Sequence, residues 1–134
     1  MNAPGMRRAR QEPAEENERV GINASRGLKM ATRVLLADDH PIFLQGMKVL
    51  LEREKFEVVG LASDGRQAVK MAEKLKPDVV ILDLAMPLMN GLDAAREIGK
   101  VSPNIKKILL TNYTDEQYIL DALRAGVNGY LVKT

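Results

Sequence analysis

Val79-Val80-Ile81-Leu82-Asp83-Leu84-Ala85-Met86-Pro87 is the stretch on which the fold turns. Four apolar residues make a strand with no polar face, and Asp83 opens the run that follows it. An earlier segment, Arg33-Val34-Leu35-Leu36-Ala37, reads as a second strand and ends on Asp38-Asp39. If the two strands are parallel neighbours, three carboxylates converge at one edge of a sheet. Such a cluster is costly without a cation, so the pattern predicts a bound divalent metal. It also predicts chemistry at whichever carboxylate keeps a free oxygen.

Outward from this pair, strand and helix signals alternate. Strands are expected over 33–37, 57–62, 79–82, 106–110 and 129–132, and helices over 41–53, 66–75, 92–100 and 115–125. Pro41 suits a first helical turn. Asp64 and Thr114 stand where N-caps are wanted before the second and fourth helices. Ala68, Val69, Ala72 and Leu75 share one helical face, and Pro77 and Gly126 punctuate helix ends. Strands apolar throughout are buried on both faces by helices, so the expectation is one α/β domain, doubly wound on a parallel sheet.

The chain has 134 residues, enough for one such core. It contains no cysteine, which excludes disulfides, thiolate zinc sites and thiol catalysis. No apolar run approaches membrane-spanning length and the start lacks a secretory core, so no membrane is expected and the cytoplasm is the default. Residues 1–31 are polar, carry Pro4, Gly5, Pro13, Gly21 and Gly27, and read as a disordered tail. The formal net charge of +2 belongs to that tail, with Met30 a candidate natural start. Residues 32–134 are charge-balanced, which argues against nucleic-acid binding.

In open α/β sheets, functional groups gather beyond the carboxyl ends of the strands. Four of the five expected ends carry something polar: Asp38-Asp39, Asp83, Thr111 and Lys133. Each has a task if a phosphoryl group moves to Asp83. Mg²⁺ takes oxygen ligands, for which the Asp38-Asp39 pair, Asp83 and the backbone carbonyl of Ala85 are candidates. The metal and Lys133 would neutralise charge on the phosphoryl oxygens. The other Asp83 oxygen would be the nucleophile, and the Thr111 hydroxyl would bond the new phosphate and pull its loop inward. His40, the only histidine, reads as a helix-start residue. Met47 and Met71 read as core or partner surface, and Lys106-Lys107 as solvated charge.

These residues resemble the receiver domain of two-component response regulators over about residues 32–134. The match rests on Asp38-Asp39, on Asp83 with Met86-Pro87 and Gly91, and on Thr111 and Lys133. Asp38-Asp39-His40-Pro41 and Gly126-Val127-Asn128-Gly129-Tyr130-Leu131-Val132-Lys133 are similar to the NarL/FixJ (LuxR-type) subfamily in particular. The resemblance implies a flavodoxin-like strand order of 2-1-3-4-5, Mg²⁺ as cofactor, and phosphoryl transfer from a sensor histidine kinase to Asp83. It implies Tyr130 as an aromatic that turns with the Thr111 shift. The output would be a changed surface over the fourth helix and fifth strand, met by a partner or a second copy, and not substrate turnover.

Two departures from that family are visible. Its domain normally closes with a fifth helix after the lysine, and its NarL/FixJ members normally carry a helix-turn-helix DNA-binding domain; neither follows Lys133-Thr134. The expectation is a receiver domain truncated at its C-terminus, with apolar groups exposed near strands one, three and five. Exposing several hundred Å² would cost on the order of 10 kcal/mol, which predicts marginal folding or association. Alternatives are a phosphorylation-independent binding module or an inert fragment of the same fold. A phosphohydrolase similar to the haloacid-dehalogenase-like enzymes is disfavoured, because Ala85 stands where that family places a second, acid-base Asp. The non-glycine turn Ala37-Asp38-Asp39-His40-Pro41 excludes a dinucleotide enzyme.

Overall fold

Five strands and four helices alternate along the computed structural model, which describes residues 31–112 and 116–133. They are β1 (Arg33–Ala37), α1 (Pro41–Arg53), β2 (Glu57–Ala62), α2 (Gly65–Leu75) and β3 (Val79–Asp83), then α3 (Gly91–Val101), β4 (Lys106–Thr111), α4 (Glu116–Arg124) and β5 (Gly129–Val132). All strand pairs are parallel and the sheet order is β2-β1-β3-β4-β5. This is the flavodoxin-like order, with helices on both faces. The expected tail over residues 1–31 lies, but for Ala31, outside the described residues, as do Thr114 and Asp115.

The two sheet faces are buried by different means. On one, Leu35, Val80, Leu82 and Leu109 meet the small residues Ala68, Ala72, Ala94 and Ala95, together with Ile98. Alanines let α2 and α3 lie close on the strands. On the other face α1 sends Leu44, Phe43, Met47 and Leu51 onto Val34, Leu36, Ile81 and Leu110. Each fully buried aliphatic side chain contributes about 1.5–3 kcal/mol. Exposure near β1 and β3 was expected and is not found: Val34 and Leu36 are 2% exposed and Ile81 6%. α1 covers them. Within the sheet the exposed large apolar groups lie on β5, where Tyr130, Leu131 and Val132 are each at least 40% accessible.

Local chemistry sets the element ends. The Asp64 side chain accepts a hydrogen bond from Gln67 N at 2.8 Å and caps α2, as its position predicts. Asn90 does the same for α3, accepting from Asp93 N at 2.8 Å, a cap the sequence reading missed. Helices α2 and α3 begin one residue earlier than expected, and β3 and β4 run one residue further, taking in Asp83 and Thr111. Lys107 corrects the reading of Lys106-Lys107 as solvated charge. Lys106 is exposed, but Lys107 is only 5% accessible and donates from Nζ to the Ile105 carbonyl at 3.0 Å. No helix among the described residues is long and apolar enough to cross a membrane.

Candidate phosphoryl-acceptor site

Sheet order brings the polar strand ends together. β1, β3, β4 and β5 are parallel, so Asp38, Asp83, Thr111 and Lys133 all reach the same edge. Ladder-like backbone bonds continue past the strands and hold them: Asp38 N donates to Ala62 O at 3.0 Å, and Lys133 N donates to Thr111 O at 2.7 Å. Leu84 N donates to Leu110 O at 2.8 Å, fixing the residue after Asp83.

Lys133 is held in place, not frayed into solvent. Its ammonium lies 2.7 Å from Asp38 Oδ2 and 3.5 Å from Asp83 Oδ1. It also sits 4.4 Å from the centre of the Phe43 ring, a cation-π contact that lowers the cost of burying the charge. Phe43 was missed in the sequence, although its place in the first turn after β1 is a usable signal. His40 too is drawn in. Its Nδ1 is 2.7 Å from Asp38 Oδ1 and 3.2 Å from Asp39 Oδ1, and its backbone N–H donates to Asp38 Oδ1 at 2.9 Å. It stands at the N-cap of α1, as its reading as a helix-start residue required, yet its side chain caps nothing in that helix.

The two buried aspartates are tuned in opposite directions. Burial raises the Asp38 carboxyl, but hydrogen bonds from Lys133 and His40 outweigh it and leave Asp38 below its ordinary value. Burial and then the charge of Asp38 push Asp83 up, against the opposing pull of Lys133. Burial lowers Lys133, and its bond to Asp38 and the charge of Asp83 more than reverse that, leaving it raised. Asp38 is thus the settled carboxylate. Asp83 is the under-compensated one, 4% exposed, with no hydrogen bond to its Oδ2 among the described residues.

Asp38, Asp39, His40 and Asp83 each offer a ligand atom, and these atoms lie within 4.8 Å of one another. Three carboxylates face one ammonium, and Asp83 Oδ2 takes no hydrogen bond among the described residues, so the donor set fits a hard divalent cation. Ala85 lies two residues beyond Asp83 in the exposed loop after β3. Thr111 is buried at the end of β4. It lines a small apolar cavity with Leu109, Tyr118, Ile119, Ala122 and Tyr130, so Thr111 and Tyr130 share one space beneath α4.

A doubly wound α/β domain with an acidic pocket, a lysine and a hydroxyl at the carboxyl edge of its sheet defines a class of signalling domain. The chain belongs to the response regulator receiver domain family, whose sequence profile matches residues 34–134. It is 39% identical over 102 residues to the transcriptional regulatory protein DegU of Brevibacillus brevis, covering 75% of this chain and 43% of DegU. It is 38% identical over 104 residues to the chemotaxis protein CheY of Thermotoga maritima, covering 78% of this chain and 87% of CheY. A crystal structure of a LuxR-family two-component response regulator from Aurantimonas sp. SI85-9A1 superposes with a TM-score of 0.75 at 32% identity. That superposition covers 78% of this chain and 75% of the regulator. The chain therefore spans less than half the length of DegU and most of CheY. These curated relatives are a transcriptional regulatory protein and a chemotaxis protein.

Proposed function

We propose that this domain accepts a phosphoryl group on Asp83 from the phosphohistidine of a sensor histidine kinase. The observation that carries the reading is the buried Asp83 carboxylate, with no hydrogen bond to Oδ2 among the described residues and flanked by Lys133 and Asp38. A carboxylate oxygen of Asp83 attacks phosphorus, the new P–O bond forms as the P–N bond breaks, and the kinase imidazole leaves with the bonding electron pair. Lys133 is near enough to Asp83 to meet charge gathering on the phosphoryl oxygens. Asp38, Asp39 and Asp83, with the carbonyl of Ala85, are the groups proposed to hold Mg²⁺. When bound, the ion supplies further neutralisation of that charge.

Thr111 is proposed to donate its hydroxyl to the aspartyl phosphate, and Tyr130 to turn into the space that this shift vacates. Their common cavity supports the coupling. The surface that changes is α4–β5, where the half-exposed Tyr118, Leu123 and Leu131 suit a protein partner or a second copy of the domain. The reading places the chain in the cytoplasm, where a sensor kinase presents its phosphohistidine. It assigns transcriptional output to a DNA-binding domain and gives the receiver itself no nucleic-acid contact.

Intact-mass spectrometry after incubation with acetyl phosphate, with and without Mg²⁺, tests the acceptor. A Mg²⁺-dependent phosphoryl adduct is expected in the parent chain and not in Asp83→Asn. No adduct in a folded parent sample would overturn the reading.

A further inference from the structure

The His40 ring stands where neither a helix start nor simple solvation would require it, against two carboxylates. The ring is largely exposed, at 64%, yet its Nδ1 lies between two carboxylates, 2.7 Å from Asp38 Oδ1 and 3.2 Å from Asp39 Oδ1. An octahedral ion with bonds of about 2.1 Å has neighbouring ligand atoms about 3 Å apart. Nδ1 is already near that spacing from both Asp38 Oδ1 and Asp39 Oδ1. Asp83 completes a set whose members lie within 4.8 Å of one another, and its buried Oδ2 takes no hydrogen bond among the described residues.

We propose that His40 Nδ1 is a metal ligand of this site, and that it makes the pocket select first-row transition ions such as Ni²⁺ or Zn²⁺ over Mg²⁺. The proposal rests on the receiver reading of the acidic pocket. Magnesium prefers oxygen donors and binds imidazole poorly, so His40 adds little to its hold. Nickel and zinc bind imidazole well. For them the Nδ1 lone pair replaces the hydrogen bond to Asp38, the ring proton resides on Nε2, and the backbone N–H of His40 still orients Asp38. Selection thus comes from one exposed side chain, while the ligands that serve Mg²⁺ stay as they are.

The test is isothermal titration of the full chain with Ni²⁺ and with Mg²⁺, beside His40→Asn. Nitrogen-15 spectra of the imidazole under Zn²⁺ accompany it. The chain has a single histidine, so its ring signals are unambiguous. His40→Asn is expected to weaken Ni²⁺ by about 10-fold or more and to change Mg²⁺ by less than about 2-fold. Zn²⁺ is expected to shift the Nδ1 resonance. Equal Ni²⁺ affinity in parent and variant, or imidazole signals that Zn²⁺ leaves unmoved, would overturn the assignment. Retained Mg²⁺ binding and an Asp83 adduct would then show that the receiver reading survives it. Loss of both metals from a folded parent chain would overturn both.

Discussion

Asp38 and Asp83 stand in one pocket and differ because of their partners. Asp38 takes hydrogen bonds from Lys133 and His40, whereas among the described residues Asp83 has a longer contact with Lys133 and no other. Burial therefore wins at Asp83 and loses at Asp38. In the proposed transfer Asp83 would benefit from being the less satisfied group, since a free oxygen would meet phosphorus without first giving up a bond. Lys107 shows the same physics away from the site. Burial, and then the charge of Lys106, hold its ammonium below the usual lysine value. The folded chain releases that proton before the unfolded chain does, so between the two values the unfolded state binds more protons and stability rises with pH. Lys107→Met should stabilise the fold at pH 7 by on the order of 1 kcal/mol, with the gain shrinking as pH approaches the unfolded lysine value. Urea denaturation of parent and variant at pH 7 and pH 10 checks this; a gain that does not change with pH would contradict it.

At the scale of elements, the β3–α3 connection is the piece that aims the site. Asn90 caps α3, and Gly91 N donates to Leu84 O at 2.9 Å, folding the loop back on itself. A methyl group at Gly91 would run into the backbone carbonyl of Asp83. Glycine here is a matter of close approach, because it lets the start of α3 touch the end of β3. Gly46, inside α1, has open space where its Cβ would be. Gly91→Ala should therefore cost about 2 kcal/mol or more and slow the Asp83 adduct, while Gly46→Ala should stabilise α1 by up to about 1 kcal/mol. Chemical denaturation of both variants, with adduct formation followed by mass, reads the contrast. Equal and benign effects would mean that the loop is free to retreat.

For the whole molecule, the proposed metal site should couple ion binding to stability. Three carboxylates and one ammonium repel on balance, and an ion that binds only the folded chain relieves this. At Mg²⁺ tenfold above its dissociation constant the gain is about 1.4 kcal/mol, a rise of several degrees in Tm. Thermal melts with Mg²⁺, reversed by a chelator and repeated on Asp83→Asn, should show the rise in the parent and a smaller one in the variant. No rise in the parent would mean the pocket does not hold the ion.

Local pattern alone made much of this legible. Apolar runs, helical spacing and punctuating residues give the order of elements, and Asp64 reads as a cap because its bond spans three residues. The polar strand ends are legible because parallel winding sends every such end to one edge. What only the tertiary structure decided depends on contacts distant in sequence. Lys133 meets Asp38 across 95 positions, and α1 covers β1 and β3 so that, within the sheet, large apolar exposure falls on β5. Lys107 lies buried beside Gly99 and Gly126, and the His40 ring closes on two carboxylates. Spacing cannot reveal these, because burial and charge balance are set by which elements the sheet order makes neighbours.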